Sequence, residues 1–332
     1  MIKSIEKLKF WGDFLKYSVG LGLDNGFVEY IIENKEHISE VYFSWADFSN
    51  GRSNQLMSDD YTPWEKQAMQ SAALKKISEN GIALNLLFNA NCYGRESMSR
   101  AFFEKIGMSV EYIKETYGLN SITTTSPLIA RFIKDNFEDI SLRASVNMEI
   151  GSVEGMDYLS QYFDGYYMKR EYNRDFEKIK ELSDWCKETG KQLFLLANSG
   201  CLNNCSAHNF HDNLVAHEQE ISQMDNAYTF SGICKEYLKD EKNYMALINN
   251  TNFIRPEDIV KYEPYFLAVK LATRVHKSPG MVLKSYIRGK YSGNILELLE
   301  PAHNIYPYVI ENGEPLKLKK ISEFGGIFDD KQ

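Results

Sequence analysis

Short apolar, β-branched runs recur eight times along this chain, and a stretch with helical spacing follows each of the first seven. That alternation constrains the fold more than any other feature. The runs are residues 17–20, 41–44, 82–89, 121–125, 141–147, 165–169, 192–198 and 266–271. Strands buried on both faces and joined by crossover helices make a parallel sheet. Eight repeats predict closure into a (β/α)8 TIM-type barrel, with an open doubly wound sheet as the runner-up. At 332 residues the chain is long enough for one such barrel. The expected organisation is a barrel over residues 1–300 and a C-terminal extension over 301–332, packed on the barrel and carrying a small hairpin at Asn312-Gly313.

Local signals agree with this division. Thr62-Pro63-Trp64-Glu65 has the form of a capping box with proline at the first helical position. Trp64, Ala68, Ala72 and Ile77 then predict the apolar face of that helix. Ser126-Pro127, Arg255-Pro256 and Ser278-Pro279 each predict a helix start. Phe176, Ile179, Leu182 and Cys186 share one helix face, so Cys186 is expected in the core.

The sequence composition excludes some functions. A net charge of −8 gives no global pull toward nucleic acid or anionic lipid. No run approaches the apolar length of a membrane span. The opening MIKSIEKLKFWGDFLKY has no apolar core or small-residue cleavage site, so a cytoplasmic location is expected. In that setting, five spaced cysteines suggest metal or catalysis more than disulfides.

In a barrel the loops after the strands build the working face. The long excursions here are residues 47–61, 90–107 and 199–252. The last opens with NSGCLNNCSAHNFHDNLVAH (198–217), which holds Cys201, Cys205, His208, His211 and His217, and Cys234 follows. Thiolates are soft ligands suited to iron–sulfur clusters and to zinc. A 4Fe-4S cluster on Cys201, Cys205, Cys234 and Cys92 is the expected centre, with Cys92 at the end of strand 3 as the fourth ligand and His208 as its alternative. A zinc site on Cys201, Cys205, His208 and His211 is the competing arrangement.

A second constellation is cationic. Arg52, Arg95, Arg170 and Arg174 fall in loops after strands 2, 3 and 6, and Lys270, Arg274 and His276 fall at the end of strand 8. Arg274, with Lys270 and His276, is expected to hold the carboxylate of an anionic small molecule near the metal. Asn89, Asn91, Asn147, Glu149, Glu171 and Asn198 are further polar candidates at strand ends, and Glu149 is counted with the catalytic set.

Residues 198–217 and IRPEDIVKYEPYFLAVKLATRVH (254–276), with NRDF at 173–176 and LLFNANCYG at 86–94, resemble a divergent branch of the collagenase-like peptidase family U-32. The resemblance runs over residues 18–279. Cys201 matches the cysteine of that family's Ser-Gly-x-Cys segment, and Cys205 and Cys234 match later cysteines loosely. Residues 193–198 depart from the family's glycine-rich stretch. The resemblance implies either peptidase activity or, as in several members, a 4Fe-4S cluster supporting oxygen-independent hydroxylation of a small molecule or RNA. It also implies a homologous partner subunit, since some members work as heterodimers.

Overall fold

The computed structural model describes residues 15–22, 25–45, 48–51, 62–225, 228, 230 and 232–323. Eight parallel strands close into a barrel in sequence order. They are β1 (Lys16–Gly20), β2 (Ile38–Ser44), β3 (Ala83–Phe88), β4 (Leu119–Thr124), β5 (Ser141–Ala144), β6 (Gly165–Tyr167), β7 (Gln192–Leu196) and β8 (Ala268–Leu271). Closure is made where β1 pairs with β8, Tyr17 opposite Val269. Each of the eight apolar runs overlaps one strand, so the predicted TIM-type barrel is the fold.

The outer ring begins with α1 (Asn25–Glu33), α2 (Pro63–Glu79), α3 (Arg100–Tyr117), α4 (Pro127–Asn136), α5 (Val153–Asp157) and α6 (Phe176–Glu188). The excursion after β7 carries α7 (His208–Ala216), α8 (Glu218–Ser222), α9 (Ile233–Tyr237) and α10 (Ala246–Asn249). A 3-10 turn, Pro256–Tyr262, precedes β8, and α11 (Pro279–Ile287) follows it. No helix among the described residues is long and apolar enough to cross a membrane.

The caps follow the sequence. Thr62 and Glu65 form the reciprocal capping box of α2, with Pro63 in the first turn, and Ser126 caps α4 ahead of Pro127. The predicted inner face of α2 is corrected. Trp64 is 77% exposed, and the buried side chains are Lys66, Leu74 and Ile77. The helix has no strong apolar stripe, so tertiary contact with the barrel, not periodicity, selects its inner face.

Between helices and strands lies a continuous apolar layer that includes Val41, Leu84, Leu86, Ile122, Leu142, Leu195, Val269 and Leu271. Each such side chain stabilises the fold by roughly 1.5–3 kcal/mol through burial. The lumen is different. Barrel interiors usually stack branched apolar residues, yet here Glu40 and Arg143 meet inside at 2.5 Å. Ser18 Oγ donates to Glu40 at 2.8 Å and Ser121 Oγ at 3.3 Å. Thr123 Oγ1 donates to Asn85, whose amide donates to Ser121 Oγ. Above this layer the Tyr42 ring crosses the lumen and its hydroxyl donates to the Leu271 carbonyl at 2.8 Å. Glycine at position 20 makes room for it: a Cβ there would stand 2.7 Å from the Tyr42 ring and from Arg274 Cβ.

After α11 the chain folds back over the barrel mouth. Gly200 N donates to the Glu300 carbonyl at 3.0 Å, and Gly200 O meets His303 Nε2 at 2.8 Å. An antiparallel pair, β9 (Tyr308–Glu311) and β10 (Lys317–Lys320), ends the described chain. Its connection spans residues 312–316, longer than a two-residue Asn-Gly turn. It is tied down by Asn312 Nδ2 on Glu257 and by Arg255 on the Gly313 carbonyl.

Candidate functional site

The C-terminal ends of β2, β3, β5, β7 and β8 surround a cavity of about 40 Å³. Its polar lining is Asn89, Asn147, Arg170, Lys270, Arg274 and Glu300. Three cations therefore face one carboxylate in a chain of net negative charge. At ~10–15 Å³ per water-sized probe the cavity takes about three non-hydrogen atoms, which is the size of a carboxylate group.

Each lining residue has a local cause. Lys270 lies on β8 and is buried, with its ammonium 4.0 Å from the centroid of the Tyr42 ring and 5.1 Å from that of Tyr167. Arg274, also buried, donates from Nη2 to Asn50 Oδ1 at 2.8 Å. Asn147 follows β5 in a short 3-10 turn and donates to the Asn89 carbonyl, while Asn89 Oδ1 accepts from Gly51 N. Glu300 enters from the C-terminal segment, where Ser199 bridges to it. His276, expected beside Arg274, does not line this cavity. Its Nδ1 accepts from Ser278 N at 3.0 Å, and burial lowers its pKa.

Arg170 is 3% exposed and reaches in several directions. Nη2 lies 2.6 Å from His208 Nε2 and 3.8 Å from Asp212 Oδ2. Nη1 points at Cys201 Sγ at 3.8 Å. Its Nε is buried with no protein partner. His208 Nδ1 lies 2.6 Å from Glu149 Oε1. A guanidinium can only donate, so Nε2 accepts and the Nδ1 proton faces Glu149. Glu149 itself adopts a left-handed conformation, φ 52°.

The cysteines divide into three environments. Burial raises the Cys234 pKa, and the charges of Cys201 and then Cys205 near it add to the rise. Cys186 is buried on α6 and its thiol is pushed up to about 12 by burial. Cys92 stands against His217. Cys234 thus lies near both Cys201 and Cys205, while Cys92 neighbours His217.

One set of metal-ligating groups converges among the described residues. Donor atoms of Glu149, Glu171 and His208 lie within 4.8 Å of one another, and Glu171 Oε2 is buried without a partner. Neither the Cys201, Cys205, His208 and His211 set nor the trio Cys201, Cys205 and Cys234 gathers within that distance among the described residues. His208 is engaged by Glu149 and Arg170, and His211 packs 5.7 Å from the Phe230 ring. A tetrahedral zinc with ~2.3 Å bonds needs its sulfurs about 3.8 Å apart, whereas a polynuclear cluster holds them farther apart.

Of the remaining candidates, Arg174 donates to the Phe253 and Ile248 carbonyls and is structural. Arg95 is 95% exposed on the surface beside Glu96. Asn198 clamps the ends of β7 and β8 through Ala272 and Leu298. Asn91 Oδ1 is buried without a partner. Arg52 lies outside the described residues. Tyr42, Tyr167, Asp212 and Glu300 are site residues that sequence reasoning missed. Asp212 had a signal, four residues after His208 on one helix face; Glu300 had none.

No protein-family model and no curated protein matches this sequence. Among solved structures, the U32 peptidase Mk0906 superimposes with a TM-score of 0.55 at 11% identity, over 80% of this chain and 95% of that one. A family 5 mannosidase from Rhizomucor miehei gives 0.39 at 10% identity, over 64% and 79%. A phosphodiesterase from Oleispira antarctica gives 0.37 at 18% identity, over 64% and 92%. The chain is therefore a TIM-type barrel similar in fold to a U32 peptidase.

Proposed function

We propose that this barrel is an enzyme that binds the carboxylate of a small anionic molecule at Arg170, Lys270 and Arg274 and modifies it beside an iron–sulfur cluster held by Cys201, Cys205 and Cys234. The observation that carries this reading is Arg170, whose guanidinium lines the anion cavity and also abuts Cys201 Sγ at 3.8 Å. The fit of the residues to the cluster rests on donor chemistry: three soft thiols in one loop system, Cys234 near the other two, with a buried cation beside Cys201 to offset thiolate charge. A cluster bound there would supply one-electron chemistry at the mouth, as an oxygen-independent hydroxylation requires.

This chain's own residues do the rest. Arg274 and Lys270 hold and orient the carboxylate, and the Tyr42 ring beneath Lys270 fixes the ammonium. His208, oriented by Glu149, keeps a proton on Nδ1 and an acceptor at Nε2, an arrangement suited to moving a proton near the substrate. The overlying segment with Glu300 and His303 narrows access for water. The fold likeness to a U32 peptidase supports the resemblance seen in the sequence.

A second reading rests on Glu149, Glu171 and His208, whose converging donors suit a divalent cation and hydrolytic chemistry. The guanidinium on His208 Nε2 opposes it. The test is purification without oxygen, followed by metal analysis and a visible spectrum. Iron with charge-transfer absorption, lost in Cys201→Ser, is the expected result. Stoichiometric zinc lost in Glu171→Gln would overturn the cluster in favour of the hydrolase.

A further inference from the structure

Cys92 is the one chemically capable cysteine that the proposed cluster leaves unused. It follows β3 in Asn91-Cys92-Tyr93-Gly94, and its Sγ accepts a hydrogen bond from Gly94 N at 3.4 Å. The His217 ring, just past the end of α7, borders this loop and faces the Cys92 side chain: a Cβ on Gly94 would stand 3.9 Å from its Cε1. The ring's Nδ1 lies 3.2 Å from Glu220 Oε2 on α8. Thiol, imidazole and carboxylate thus stand in line, the order in which a nucleophile, its base and the group orienting that base are arranged.

The loop is shaped to make this contact. Gly94 has φ 69° and ψ −166°, a region essentially open only to glycine. That conformation turns its N–H onto the sulfur. The site is also reachable: Cys92 is half-buried and the His217 side chain is 25% exposed. All five cysteines are free thiols, and the partners of Cys92 are His217 and Gly94 instead of a second, resolving cysteine. The same contacts, the His217 ring foremost, lower the Cys92 thiol from its ordinary value and raise His217.

We propose that Cys92, His217 and Glu220 form a nucleophilic thiol centre, separate from the three-cysteine cluster, that takes an acyl group from an activated ester or thioester and passes it to water. Sγ bonds to the acyl carbon, and the bond from that carbon to the leaving oxygen or sulfur breaks. His217 transfers the proton taken from Cys92 to the departing alcohol or thiol. Water then adds to the acyl carbon while His217 takes its proton. The carbon–Sγ bond breaks, a carboxylic acid leaves, and Cys92 regains its proton. No oxidant or reductant enters, and the inference does not depend on the cluster.

The probe is 4-nitrophenyl acetate, mixed with the full chain purified without oxygen. The expected result is a burst of one nitrophenolate per chain, with the acetyl group on the Cys92 peptide. Cys92→Ser should lose both while keeping its fold and metal. His217→Ala should slow acylation by about 100-fold, the lower end of what a positioned base contributes. Glu220, a positioning residue, is tested by Glu220→Gln, which should move the pH midpoint of acylation and leave the burst amplitude intact. Limiting iodoacetamide on the unaltered protein needs no variant: Cys92 should label ahead of Cys201, Cys205 and Cys234. A burst that survives in Cys92→Ser, acetyl spread evenly over the cysteines, or Cys92 labelling last would overturn the centre. Loss of iron in Cys92→Ser would do the same by making Cys92 a cluster ligand, and would leave the cluster reading standing.

Discussion

Arg170 Nη1 stands 3.8 Å from Cys201 Sγ while Nη2 of the same guanidinium stands 2.6 Å from His208 Nε2. One buried cation therefore touches a cysteine of the long loop, a histidine oriented by Glu149, and the wall of the anion cavity. The planar fork makes this threefold contact feasible; a lysine ammonium is a single point and cannot span it.

Arg170→Lys should keep the fold, because the charge that balances Asp212 remains. It should weaken binding of a small carboxylate by roughly 10–100-fold, the worth of one charge-assisted hydrogen bond at ~1.5–3 kcal/mol. Arg170→Met should also lower thermal stability, since Asp212 loses a largely buried counter-charge. Calorimetric titration and a melting curve on both variants separate the two effects.

Arg274→Ala should abolish carboxylate binding while the protein keeps its fold and metal. Two acids that could claim Arg274 structurally, Glu257 and Glu149, are engaged elsewhere. Glu257 accepts from Tyr291 N and Asn312 Nδ2, and Glu149 faces His208. An Arg274→Ala protein that unfolds or loses metal would make this arginine structural and remove a main support of the pocket.

The outer architecture was legible because strands buried on both faces must be apolar, so each left a short β-branched run between helical ones. The lumen was not legible. Glu40, Asn85, Ser121 and Arg143 come from four strands and meet only on closure. Periodicity failed at α2, whose wrong face looked apolar. For the candidate site, Lys270, Arg274 and Arg170 line one cavity, because parallel strands deliver their C-terminal ends to one face. Cys92 looked like a fourth ligand on the same ground. Its actual neighbour, His217, depends on how α7 ends, which spacing does not encode.

Breaking the lumen pair should be costly. Arg143→Met leaves Glu40, 2% exposed, facing only neutral donors. A loss of about 3–5 kcal/mol is expected. The double variant Glu40→Gln, Arg143→Met should recover much of it, because the amide keeps partners in Ser18 and Ser121. Denaturant midpoints of the two single variants and the double variant give the coupling.

Gly200→Ala should loosen the strap over the mouth. A Cβ at this position would meet the Pro301 carbonyl oxygen at 2.1 Å, and a backbone oxygen cannot swing aside as a side-chain tip would. Relief requires parting Gly200 from Glu300 and His303, whose hydrogen bonds hold the segment down. The expected cost is about 3 kcal/mol, the upper part of the usual overpacking range. Faster proteolytic cleavage within residues 300–306 would accompany the drop in melting temperature. Unchanged cleavage would show that the segment is held by other contacts.

Cys186 gives the last prediction, because its environment is the opposite of that of Cys92. It is 2% exposed on the inner face of α6, among the apolar side chains of the barrel wall. Burial pushes its thiol up to about 12 from an ordinary 9.0, with Lys191 pulling weakly the other way. The protonated thiol is thus favoured by folding. Its contribution to stability is full below pH ~9, where the unfolded chain is also protonated, and is lost as pH rises from there toward the folded value. Cys186 should stay unlabelled by a thiol reagent in the native protein at pH 8 and label fully in denaturant. Cys186→Ala should leave metal content unchanged and make the loss of stability above pH 9 shallower, even though the smaller side chain lowers stability at neutral pH. Native labelling of Cys186 at the rate of Cys205 would show that α6 opens from the barrel wall in solution. An alkaline stability curve parallel to that of the unaltered protein would assign the loss to buried tyrosines such as Tyr167 and Tyr286 instead.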